Sequence, residues 1–224
     1  MKFSGDRVTK ETKLEEVINY RKIFDDHGEV TSLTKMRKFL PMYYDDQPNE
    51  DDCEKWMITV ENLLYGKEHG SFIDLKLGTS TLTSDKDDQV ARIASRAVID
   101  RVWTCSGEHG FTICGMNMKN PWTGKARNTE RFKDGKVGKT DPPNSIGEAE
   151  EYLAAFFQSG KDGALDKAAI EYARQEIKPM LEYFETENEH IIRGMSLFIV
   201  TESAQEKYTV KLIDFVSIEK IPDD

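Results

Sequence analysis

Two runs near the carboxyl terminus, "MSLFIVTES" (195–203) and "KYTVKLIDFVSI" (207–218), constrain the fold more than any other feature of this chain. Both carry β-branched and aromatic residues, the second places Val210, Leu212 and Asp214 at alternate positions, and only "AQE" separates them. Side chains on a strand alternate faces, so two such runs joined by so short a link predict an antiparallel hairpin. Three more strands are expected: Trp56 to Glu61, "SFIDLKLG" (71–78), and the glycine-bracketed "GFTICGMNM" (110–118).

Helical spacing dominates elsewhere. "TKLEEVINYRKIFDDHG" places Leu14, Val17, Ile18, Tyr20, Ile23 and Phe24 at mostly helical intervals, with Gly28 as a stop. A shorter helix is expected from Ser32 to Phe39, halted before Pro41, and a long one from about Asp85 to Trp103. Ser145 and Glu148 form a capping-box pattern that opens a helix closing at Gly160. A longer helix, bent at Pro179, follows. The acidic "YYDDQPNEDDCE" (43–54) reads as a solvated linker, and 120–144 as a mobile polar connection. Mixed helices and strands with a late antiparallel hairpin imply an α+β fold.

Composition narrows the function classes. The chain has 224 residues, enough for one large domain or two lobes. A net charge of -10 argues against broad nucleic-acid binding, which needs a basic face, but leaves room for a local basic pocket. No apolar run is long enough to span a bilayer, and the amino end has no apolar signal region. Cys53, Cys105 and Cys114 lack metal spacing and read as free thiols of a reducing compartment, so a cytoplasmic or nuclear location is expected.

Charge inside strand-like runs is the chemical signal. Asp74 and Lys76 stand two residues apart in an apolar strand, so they project together while Ile73, Leu75 and Leu77 face the other way. The plain reading is a weak ion pair. Asp214 sits between Ile213 and Phe215, and alternation puts it on the face of Val210 and Leu212. A carboxylate there needs a cation, a metal or hydrogen-bond donors, and Mg²⁺ held by one or two carboxylates plus phosphate oxygens would satisfy it. A buried, hydrogen-bonded structural aspartate would do so too.

Taken in order, "GSFIDLKLG", "MSLFIV" and "LIDFVS" resemble the P-x-x-x-D-x-K-x-G, S-S-L-L and I-D-F blocks of the inositol polyphosphate kinases. "RKFLPMYY", "VENLL", "GFTICGMNM" and Lys10 followed by "EEVINY" are similar to further blocks of that family, so the resemblance covers about Val8 to Ile218. It implies a two-lobed, protein-kinase-like fold, with an amino lobe and hinge over 1–66 and a carboxyl lobe over 67–224. It implies ATP and Mg²⁺ as cofactors and an inositol phosphate as substrate. Lys10 would hold the α/β-phosphates, Glu61 and Asn62 the adenine and ribose, and Asp214, with support from Ser196, the metal. Asp74 would orient or deprotonate the attacking hydroxyl and Lys76 bind phosphate. Lys86, Arg92 and Arg96 would bind the substrate, with Lys119, Lys125 and Lys133 as further cations.

Departures from the pattern bear on substrate choice. Gly70 stands where the family has Pro, Met195 where it has Ser, Thr112 where Arg is frequent, and Gln89 where a Lys often lies. Because Lys10 comes so early, the glycine-rich strand pair of the amino lobe is expected to be truncated or absent. The alternative reading is a catalytically weak relative that binds an inositol phosphate or a protein. A kinase of another lineage is disfavoured, since no H-R-D or D-F-G triplet is present.

Overall fold

The computed structural model describes residues 1–24, 30–78, 110–127, 136–137, 145–215 and 217–221. The helix expected over Asp85–Trp103, with Lys86, Gln89, Arg92 and Arg96, lies outside the described residues, as do Gly28, Cys105 and Lys133.

Three antiparallel sheets organise the described chain. The first has the order β1-β2-β4-β3, from β1 (Lys2–Ser4), β2 (Arg7–Lys13), β3 (Tyr43–Asn49) and β4 (Asp52–Glu61). The strand pair expected to be truncated or absent is therefore present in short form. Ser4 pairs with Arg7 across a two-residue turn in which Gly5 takes φ 58, a conformation cheap only without a Cβ. The acidic segment expected as a linker is strand β3 and the start of β4, joined by a turn at Glu50–Asp51. Its composition misleads because β3 is an edge strand. Pro48 removes a donor no inner strand could spare, and charge discourages edge-to-edge pairing. Asp46 accepts from Arg21 and from the Tyr43 hydroxyl, which ties this edge to the first helix.

That helix, α1 (Leu14–Phe24), buries Val17, Tyr20 and Ile23 on one face and leaves Leu14 and Ile18 exposed, a narrower stripe than its sequence suggests. The next, α2 (Ser32–Met36), opens on a capping box between Thr31 and Thr34 and runs into a 3-10 turn ending at Phe39.

The second sheet has the order β10-β9-β5-β6-β7, from β5 (Ser71–Leu77), β6 (Phe111–Asn117), β7 (Lys136–Val137), β9 (Ser196–Glu202) and β10 (Lys207–Ile213). The expected hairpin is β9–β10. Ile73, Leu75, Ile199, Leu197, Val210 and Leu212 are buried on one face, against which pack α3 (Ile146–Phe157) and α4 (Lys167–Thr186). Each such side chain contributes roughly 1.5–3 kcal/mol of burial free energy. Ser145 caps α3 by accepting from Glu148 N at 3.2 Å, and α4 runs on through Pro179.

A third, two-stranded sheet pairs β8 (His190–Arg193) with β11 (Ser217–Lys220). It continues the β9–β10 ladder beyond an interruption. Pairing stops at Ser196 with Ile213 and resumes at Arg193 with Ser217. Within the interruption Gly194 takes φ 77 and Asp214 φ 57. This corrects the expected face of Asp214. Strict alternation would bury it beside Val210 and Leu212, but the left-handed residue breaks the period. Asp214 opens into a cleft next to Ile213, and Phe215 turns inward against Tyr20, ring centroids 5.1 Å apart.

Candidate active site

A cleft of about 370 Å³ lies between the first two sheets. Val8 and Val60 line it from the first, and Phe72 and Phe198, stacked at 5.3 Å, from the second. The linker from Glu61 to Leu64 closes one end. Strand register grades its chemistry. Val8 pairs with Val60 beside the linker, whereas Lys10 is two residues further along the same face of β2. On β5, Phe72 is near the linker and Asp74 two residues beyond it on the same face. Two strand residues span about 6.6 Å. The slot is therefore apolar beside the linker, at Val8, Val60 and Phe72, and gains charge one side-chain repeat deeper, where Lys10 lies and Asp74 stands opposite Phe198.

Lys10 anchors the charged part. Its Nζ donates to Glu16 Oε1 of α1 at 2.8 Å and to the Asp214 carboxylate. Burial works against its charge, but the Asp214 and Glu16 carboxylates together outweigh that and raise its pKa above the ordinary lysine value. Tyr20 lines the same cleft, and burial, then Glu16 and Asp214, push its phenol well above the ordinary range, so it stays neutral. Glu16 belongs to the "EEVINY" block but drew no role from the sequence. Thr12, at the end of β2, also donates to it, so the strand-to-helix junction fixes its carboxylate.

Asp214 keeps 40% of its side chain exposed. Among the described residues no group of three His, Cys, Asp or Glu side chains is arranged to hold a metal. Mg²⁺ does not need such a group, because it keeps waters and takes one or two carboxylates plus substrate phosphates. Asp214 and Asp74, both facing the cleft, fit that donor set.

The remaining candidates sit differently. Asp74 and Lys76 project from the same face of β5, as expected, but only Asp74 lines the cleft. The Lys76 ammonium reaches the other way, donating to the carbonyl of Gly194. Ser196 pairs with both Lys76 and Ile213, so it shares their sheet face, but it is buried and outside the cleft lining. Asn62 is committed to local structure: its side chain accepts from Leu64 N at 3.1 Å and donates to Gly5 O at 2.9 Å. The Glu61 carboxylate accepts from Met42 N at 3.2 Å. Lys119 Nζ reaches Glu68 O at 3.5 Å, on the linker side. Missed entirely were the Phe72–Phe198 stack and Gly194, since neither aromatic residues in a strand nor a glycine after one signals a site.

These features define an α+β kinase-like fold with a nucleotide-sized cleft between two sheets. The chain belongs to the inositol polyphosphate kinase family, whose model matches residues 57–223. It is 38% identical over 80 residues to the inositol polyphosphate multikinase of Saccharomyces cerevisiae, a match covering 34% of this chain and 21%, about a fifth, of that relative. Among solved structures it is similar to the S. cerevisiae inositol phosphate multikinase in complex with ADP and Mn²⁺, at 22% identity and a TM-score of 0.68, covering 97% of this chain and 91% of that one. A second inositol phosphate multikinase structure is 19% identical with a TM-score of 0.63, covering 92% and 88%. At these identities the structural likeness concerns the fold.

Proposed function

We propose that this protein transfers the γ-phosphoryl group of ATP to an inositol phosphate. The observation that carries the reading is the graded cleft, apolar beside the linker and charged at Lys10, Asp74 and Asp214. A nucleotide has that same gradient from base to phosphates. The neighbour solved with ADP and Mn²⁺ supports a nucleotide and a divalent metal here.

Phosphoryl transfer asks mainly for positioning and charge neutralisation. Val8, Val60, Phe72 and Phe198 would enclose the base, with the Glu61–Asn62 linker along its edge. Lys10, held by Glu16, would reach the α/β-phosphates. Asp214 would hold Mg²⁺, which supplies neutralisation of the phosphate charge. Asp74 would orient the attacking hydroxyl and take its proton as the new O–P bond forms and the bond from the γ-phosphorus to the β–γ bridging oxygen breaks. Lys76 would meet phosphate from the far side of Asp74. The substrate's other phosphates would fall to Lys86, Arg92 and Arg96. The protein would work in the cytoplasm or nucleus.

The test is a panel of inositol tris- to hexakisphosphates incubated with purified protein and Mg-ATP, products resolved by chromatography. ADP release matched by one new phosphorylated inositol is expected. Nucleotide binding without turnover of any panel member would leave a binding protein on a kinase fold.

A further inference from the structure

We infer that Gly194 is a positioning residue for Lys76, acting through its backbone carbonyl. The inference rests on the kinase reading for its consequence in turnover, but not for its geometry. Lys76 and Ser196 are cross-strand partners, so the Lys76 side chain rises from the sheet face and not along the ladder plane. A carbonyl inside a regular ladder lies in that plane and is spent on a neighbouring strand. The carbonyl that meets the Lys76 ammonium belongs to Gly194, the residue at which the ladder has stopped and the backbone has turned left-handed, φ 77. The chain returns to register at once, since the next residue, Met195, accepts from Leu77 N at 2.9 Å. One residue is therefore out of the ladder, and its oxygen holds the lysine.

Two consequences follow for the site. A single acceptor engages one of the three ammonium N–H groups and leaves the others for phosphate oxygens. The hold also keeps Lys76 out of the cleft lining, on the far side of Asp74 from the linker, which on the kinase reading is the side of the acceptor substrate. Gly194 and Asp214 fall in the same interruption, so a single defect in the β8–β9/β10–β11 ladder sets both a cation and a carboxylate. A Cβ at Gly194 penalises the left-handed backbone, most of all for a β-branched residue, while Asn tolerates it.

The experiment compares Gly194→Val, Gly194→Ala and Gly194→Asn with the wild type in two readouts. The first is steady-state kinetics. Val and Ala are expected to lower kcat by about tenfold or more, as misplacing a charged group does, with the KM for ATP within about twofold, and Asn to recover most of kcat. The second needs no activity: acylation of Lys76 by an amine-reactive probe, followed by peptide mass spectrometry. Lys76 is expected to be protected in the wild type and the Asn variant, and several-fold more reactive in the Val and Ala variants. If Val fails to fold, Ala against Asn decides. Equal Lys76 reactivity in all folded variants overturns the inference, as does an Asn variant as impaired as Ala at matched thermal stability. Protection of Lys76 in a wild-type protein that turns over no inositol phosphate would sink the kinase reading and leave the positioning intact, whereas an unprotected wild-type Lys76 overturns the inference.

Discussion

At the scale of single residues, the informative ones are those whose backbone is irregular. Asp214 combines a left-handed φ with a half-open carboxylate and a lysine partner. Asn is isosteric and tolerates positive φ, so Asp214→Asn should fold with a melting temperature within about 4 °C of wild type. Lys10 keeps Glu16 as its partner in that variant. Turnover should nevertheless fall on the order of a hundred-fold or more, the cost of a lost charged group at a phosphoryl-transfer site. Parallel calorimetry and kinetics check this, and full turnover at saturating Mg-ATP would remove Asp214 from the metal site. Lys76→Met removes the ammonium and keeps the stem. It should abolish phosphoryl transfer on a similar scale while ATP affinity, measured by calorimetric titration, stays unchanged, because Lys76 is outside the cleft proposed for the nucleotide. Weakened ATP binding alone would move Lys76 to the nucleotide side.

At the scale of elements, α1 is the part that joins the chemistry of the first two sheets. It carries Glu16 to Lys10, and its Tyr20 receives Phe215, the residue after Asp214. Asn19 of the same helix donates to the Phe215 carbonyl at 3.4 Å. The turn that opens Asp214 into the cleft is thus pinned at Phe215, by ring and by carbonyl, from one helix. Phe215→Ala removes a fully buried ring and should cost about 3–5 kcal/mol of stability, read as a lower denaturation midpoint in urea. A loss under about 1 kcal/mol would show that the ring's site collapses readily and does not pin the turn. The edge strand β3 teaches a different lesson. Its acid and proline content resembles that of a linker because edge strands and linkers both face water.

At the scale of the whole molecule, packing of helices on sheets buries phenols that respond to alkaline pH. Tyr183 and Tyr208 are both pushed up to about 12, chiefly by burial, with help from nearby Glu187 and Asp166 respectively. Tyr183 joins α4 to α2 by donating to Ser32 O at 2.8 Å. In the unfolded chain these phenols ionise near 10. The folded state therefore holds their protons more tightly, so this contribution to stability is complete below pH about 10 and falls as pH rises towards about 12. The raised pKa of Lys10 acts in the same direction. Melting temperature should decline across that interval, with tyrosinate absorbance rising together with unfolding. Tyrosines that all ionise near pH 10 in protein still folded would contradict the burial.

What the sequence determined by itself was what depends on neighbours along the chain. The β9–β10 hairpin, the charged strand β5, the core of the α1 stripe and the Ser145 cap all rest on spacings of two to four residues, and so were legible. The family blocks were legible for the same reason, as short patterns in order. Tertiary structure alone decided which way the charges face. Asp214 leaves the Val210–Leu212 face where its left-handed backbone breaks the strand's period, and Phe215 packs on Tyr20 from the other end of the chain. Lys10 meets an aspartate 204 residues away, and Lys76 a carbonyl 118 residues away, through strand order that no local pattern encodes. Period and propensity act over a few residues, whereas ion pairs and ladder defects are settled only when distant segments are brought together and compete for the same space.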